Sequence, residues 1–209
     1  MARTPTTAAI LDAAGTTFAT QAGITLRDKP APLFQLLTLA ALLAKPISSD
    51  MACDAARELR KAGATTPRRT LDTTWQQRVD ALGRAHYRRF DESMATRTAE
   101  LAQFLLDEHA GDVRRLAASH DVDEVHTRLT DVPGIGPTGA DFVLREAQDV
   151  WPWVRPYLDE RVLAGARRLG LPGDAGTLRR RFTGVDAARL ASALVRVERD
   201  DDLVEHLTS

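Results

Sequence analysis

Leu129 to Leu144 reads LTDVPGIGPTGADFVL, a pattern of helix end, tight glycine turn and helix start. Val132, Pro133 and the run Gly134, Ile135, Gly136 form an apolar pinch between two helical patterns. Pro137 stands where a first helical residue tolerates a missing N–H. Two glycines around one aliphatic residue allow a sharp backbone turn. The same arrangement leaves the amides of Gly134, Ile135 and Gly136 unshielded at the positive end of the next helix, whose first turn adds Thr138 and Gly139. Such a site suits a phosphate oxygen. A plain helix–helix turn is the alternative, since Pro-Gly is frequent in turns of every kind.

Around this hairpin stand 209 residues, enough for one large or two small domains with a true core. Hydrophobic residues make up 44% and charged residues 27%, an ordinary globular balance that argues against wholesale disorder. The formal net charge is −1, so any attraction to nucleic acid has to come from local clusters of Arg and Lys. A single cysteine, Cys53, excludes an internal disulfide and a four-thiolate cluster. The start, MARTPTTAAILDAAG, has a short apolar run broken by Asp12, unlike an export signal. No stretch approaches the ~20 apolar residues of a membrane span. The expected setting is a reducing cytoplasm, at the nucleoid if the cell is prokaryotic.

Along the chain, Pro and Gly punctuate helical patterns, and no period-two run demands a strand. Thr6 to Gln21 reads as one Ala-rich helix ended by Gly23. Leu33 to Ala44 is apolar on nearly every side, as the centre of a bundle would be. Ser48, Ser49 and Asp50 offer caps for a helix to about Lys61. Ala64 to Thr70 reads as a loop, and helical pattern returns from Leu71 to Gly83. A basic connector with Tyr87, Arg88, Arg89 and Phe90 leads to a long helix that Asp91 can cap, and two short helices then reach the hairpin.

The hairpin resembles that of the helix-hairpin-helix DNA glycosylases related to endonuclease III, which reads L-P-G-V/I-G before a helix beginning near an Ala. The resemblance extends to LLTLAALLAKPISSD (Leu36 to Asp50), to the segment Ala81 to Val113, and to VWPWVRPYLDERVLAGARRLGL (Val150 to Leu171). Counting back from Arg168-Leu169-Gly170 sets Asp159 at the family's aspartate. The resemblance implies that Asp159 is catalytic: a carboxylate beneath the sugar stabilises positive charge as the base departs, and orients or deprotonates water. A helix cap is the structural alternative for Asp159, and Val162 excludes the reciprocal capping box.

Departures from the family narrow the chemistry. Thr138 stands where lyase members carry the Schiff-base Lys, so strand cleavage by that route is not expected. The tail from Leu171 to Ser209 contains no cysteine, so no iron–sulfur cluster or other cofactor is expected. The five histidines show no metal-ligand spacing. Lys45 occupies the neighbourhood of the family's corner Gln, and Glu160-Arg161 replaces Thr-His. Lys45, Tyr87 and Arg161 are candidate DNA or pocket contacts, although a core role is the simpler expectation for Tyr87.

The resulting expectation is an all-α, two-lobed protein with a helix-hairpin-helix glycosylase-like fold. A helical barrel-like domain spans 25–149 and holds the hairpin at 129–144. A second lobe, 1–24 with 150–209, carries Asp159. The expected partner of this monomer is duplex DNA, bound at the backbone through Gly134, Ile135, Gly136, Thr138 and Gly139. The expected activity is hydrolysis of the N-glycosidic bond of a damaged or mismatched base. The alternatives are a DNA-binding protein that has lost that activity and a protein–protein module that makes no use of nucleic acid.

Overall fold

Apolar periodicity without strand pattern resolves into helices throughout. A computed structural model describes residues 4–182 and 186–209, and no β-strand occurs among them. The helices are α1 Thr7–Ala14, α2 Phe18–Gln21, α3 Pro30–Leu43, α4 Ser49–Lys61, α5 Pro67–Asp72, α6 Trp75–Arg84, α7 Asp91–His109, α8 Val122–Thr130, α9 Pro137–Ala147, α10 Glu160–Arg168, α11 Ala175–Leu178, α12 Ala187–Val197 and α13 Asp201–Thr208. None of them is long and apolar enough to cross a membrane. Two compact units emerge, one formed by Phe18–Val143 and the other by Met1–Thr17 with Leu144–Ser209.

The larger unit is built around α3. Leu33, Phe34, Leu36, Leu37, Leu39 and Leu42 are all fully buried, each contributing about 1.5–3 kcal/mol of apolar burial. Helix ends here are satisfied by specific groups. Ser48 caps α4 by accepting the Met51 N–H at 3.2 Å, and Thr74 with Gln77 forms a complete capping box on α6. The Tyr87 hydroxyl donates to the Leu42 carbonyl at 2.8 Å, closing the C-terminal end of α3. Buried Arg78 donates to the carbonyls of Thr73 (2.6 Å), Ala95 (2.9 Å) and Thr70 (3.2 Å), so one guanidinium ties the end of α5 to α7.

The smaller unit packs α10 and α1 against α12. Gly165 makes the first contact possible, because a Cβ there would fall 1.9 Å from the Leu194 carbonyl oxygen. Arg189 and Arg196 of α12 donate to the carbonyls of Gly15 (2.9 Å) and Thr16 (3.1 Å), just past the end of α1.

Local departures from the sequence pattern have local causes. Thr6 to Gln21 is two helices: α1 ends at its cap Gly15, whose backbone leaves the helical region (φ −76°, ψ 12°) and where a Cβ would sit 2.4 Å from Leu11 O. The expected loop at 64–70 is helical from Pro67, since Thr66 caps the Arg69 N–H at 3.2 Å and Pro67 suits the first turn. Asp91 is the first residue of α7 rather than its cap, which is Phe90.

Candidate nucleic-acid interface

The hairpin lies where α8 ends and α9 begins. Val132 and Ile135 are buried, and the Ile135 N–H donates to Val132 O at 3.0 Å, closing the turn. Gly134 between them has φ +89°, a conformation that L side chains rarely adopt. The Gly136 carbonyl accepts the Ala140 N–H at 2.9 Å and so caps α9. Across the pair, His126 Nε2 lies 3.1 Å from Asp141 Oδ1, clasping α8 to α9.

Of the five backbone positions expected to face phosphate, Gly134, Gly136 and Thr138 are exposed. Their amides have no protein acceptor among the described residues. A Cβ at Gly136 would meet nothing within 4 Å. Ile135 departs from the expectation of an unshielded amide: its N–H is used inside the turn and its side chain, 4% exposed, anchors the hairpin. Gly139 is buried, with a Cβ there 3.2 Å from Ile135 Cγ2. Its missing side chain lets the first turn of α9 close over Ile135.

A neighbour that the sequence pattern does not suggest is Arg97 of α7. Its stem crosses Gly134 so closely that a Cβ at Gly134 would fall 2.8 Å from Arg97 Cδ and 2.9 Å from Cγ. The guanidinium pairs with Glu100 at 2.9 Å, and both side chains are about half exposed. The two residues that touch are 37 positions apart in the chain, and no local periodicity reports such a contact.

Elsewhere in this unit Lys45 Nζ stands 5.6 Å and Arg89 Cζ 5.3 Å from the centre of the Phe90 ring. Arg88 and Arg89 are exposed and Phe90 is half-buried. Tyr87 is not available as a stacking surface: it is 1% exposed and its hydroxyl closes α3. Burial pushes its phenol well above the ordinary tyrosine value. Phe90 is the aromatic residue that these cations flank.

In the smaller unit Asp159 is the N-cap of α10. Its Oδ1 accepts the Val162 N–H at 3.0 Å and its Oδ2 pairs with Arg145 Nη1. The side chains are 7% and 2% exposed. Gln148 fixes the surrounding loop, donating to the Arg145 carbonyl and accepting the Tyr157 N–H, both at 2.9 Å. Arg161 does not point to a free anion site, because Glu198 holds its guanidinium at 2.8 Å and so ties α10 to the end of α12. Trp151 and Trp153 stack with centroids 5.6 Å apart. Arg145 was hidden from sequence reasoning for a simple reason: REAQD closes an apolar helix as a solvated end would, yet Arg145, Glu146 and Gln148 are buried. Chemically, the arrangement offers a carboxylate already bearing a cation and a helix amide, with little surface open to solvent.

Among the described residues no group of three or more His, Cys, Asp and Glu could hold a metal ion. No protein-family model and no curated protein matches the chain. Among solved structures, it is similar to endonuclease III in a trapped covalent intermediate with DNA, an estranged-adenine complex, at 18% identity, covering 90% of this chain and 81% of that one with a TM-score of 0.48. It is likewise similar to endonuclease III in a non-covalent complex with DNA, at 18% identity, covering 87% and 78% respectively, again with a TM-score of 0.48.

Proposed function

We propose that this chain is a DNA-binding base-excision repair protein that holds the backbone of a duplex on its hairpin. The observation that carries this is the division of labour at the turn. Ile135 spends its amide and side chain inward, while Gly134, Gly136 and Thr138 are exposed residues whose amides have no protein acceptor among the described residues, at the positive end of α9. Contacts of this kind set position on the duplex and carry no sequence information. The resemblance of the Asp159 segment to the glycosylase motif extends the proposal to a monofunctional glycosylase. Asp159 would then assist hydrolysis of the base–sugar bond of a flipped, damaged or mismatched nucleotide. Thr138 supplies no amine for a Schiff base, and the chain works as a monomer without an iron–sulfur cluster.

One observation favours a second reading, a DNA-binding protein without catalysis: both oxygens of Asp159 are engaged, one by Arg145 and one by the α10 amide. The two readings separate in one set of assays on the full chain, combining duplex binding by fluorescence anisotropy with base release from a panel of lesion-containing duplexes. Gly136→Val, placed where a side chain has room, is expected to weaken binding to every duplex. Asp159→Asn is expected to abolish base release while binding persists. That substitution alone costs about 3 kcal/mol, since it leaves a buried guanidinium without its carboxylate. Arg145→Met with Asp159→Asn is therefore assayed beside it. Binding without base release by the wild type selects the second reading, and a borohydride-trapped adduct would refute the monofunctional one.

A further inference from the structure

The stem of Arg97 occupies the space into which a Gly134 Cβ would project. The absence of a side chain at the turn thus does two things. It allows the positive φ, and it lets a cation from another helix lie against the hairpin. The stem is held there while the head group reaches solvent, as long cationic side chains commonly do. Its carboxylate partner, Glu100, is on the same helix three residues on and about half exposed. Exposed pairs of this spacing hold weakly and are screened by salt.

Several other cations of this unit are placed differently. Arg78 is buried among carbonyls, Arg128 pairs with Glu124 on α8, and Lys45 and Arg89 stand at Phe90. We propose that Arg97 is a further phosphate contact of the hairpin. Its guanidinium exchanges Glu100 for a backbone oxygen of the nucleic acid held by the Gly134 and Gly136 amides. The ligand class is a phosphodiester, which a guanidinium meets with two parallel N–H donors. Glu100 then acts as a competitor that lowers affinity in the free protein. This inference rests on the hairpin reading above.

The test measures anisotropy of a fluorescein-labelled, undamaged duplex with the full chain between about 50 and 200 mM salt, the range over which counterion release changes affinity most visibly. Arg97→Gln keeps most of the aliphatic stem against Gly134 and removes the charge. It is expected to make the slope of log K against log salt shallower by about 0.9, equally for unrelated sequences. Arg97→Lys is expected to retain most of the slope, and Glu100→Gln to bind more tightly at each salt concentration. A role confined to packing would leave the salt slope unchanged. If Arg97→Gln keeps the wild-type slope while Gly136→Val weakens binding, the Arg97 contact is refuted and the hairpin reading stands. If the wild type does not hold the duplex even at low salt, the hairpin reading itself is refuted.

Discussion

At Gly134 a single missing side chain meets two demands. Its φ of +89° is strained for any L residue, and its open face is filled by Arg97. Gly134→Ala is expected to cost about 1–2 kcal/mol from the backbone conformation alone, with a further loss because Arg97 must move. Urea unfolding checks this: the midpoint falls with the slope unchanged. Adding Arg97→Ala recovers the contact part of the loss and leaves the backbone part. Gly136, one residue beyond the buried Ile135, lies under neither constraint, and a wild-type midpoint for Gly134→Ala would refute the distinction between the two glycines. Asp159 shows the other limit of a single residue. Its cap on Val162 follows from its place before Glu160-Arg161-Val162, whereas its pairing with Arg145 depends on a helix fourteen residues earlier.

Between elements, small residues decide how close two helices approach. Gly165 lies mid-helix in α10, where glycine is a poor helix former, and its compensation is the Leu194 carbonyl of α12. Gly165→Ala should improve the intrinsic propensity of α10 and still destabilise the protein by about 3 kcal/mol, because the added methyl forces the helix pair apart. Thermal unfolding measures the sign, and a stabilised variant would show that α10 and α12 are not packed this tightly. Helix existence at α3, α4 and α7 is legible in the sequence through all-apolar or amphipathic spacing and through the Ser48 cap. The break at Gly15 and the helix at Pro67 are not, because each depends on the geometry of a helix end, the backbone of Gly15 and the side-chain cap of Thr66, rather than on periodicity.

For the whole chain, the hairpin was legible because turn chemistry is written in adjacent residues. The partners Arg97 and Arg145 were not, because burial and charge pairing join positions far apart. The same nonlocal pairing governs the response to acid. Hydrogen bonds from Lys61, then Arg84, hold the Glu58 carboxyl below its ordinary value of 4.5, and Arg114 does the same for Asp112. Such groups contribute stability that is complete above their unfolded values and is lost as pH falls through their lowered folded values. Asp149 runs the opposite way. Burial raises it from 3.8, against the lowering effect of the Ala188 amide and Arg155. Its penalty is absent below 3.8 and complete once pH exceeds its raised folded value. Acidification therefore removes the support of Glu58 and Asp112 while relieving the strain at Asp149. Glu58→Gln should lower the urea midpoint at neutral pH and flatten its decline toward acid. Asp149→Asn keeps an acceptor for the α12 amides but removes the desolvated charge, so it should raise the neutral-pH midpoint and steepen the decline. Midpoints measured from neutral pH to well below 3.8 test both signs, and a flatter profile for Asp149→Asn would mean that its carboxylate is stabilised in the fold rather than opposed by it.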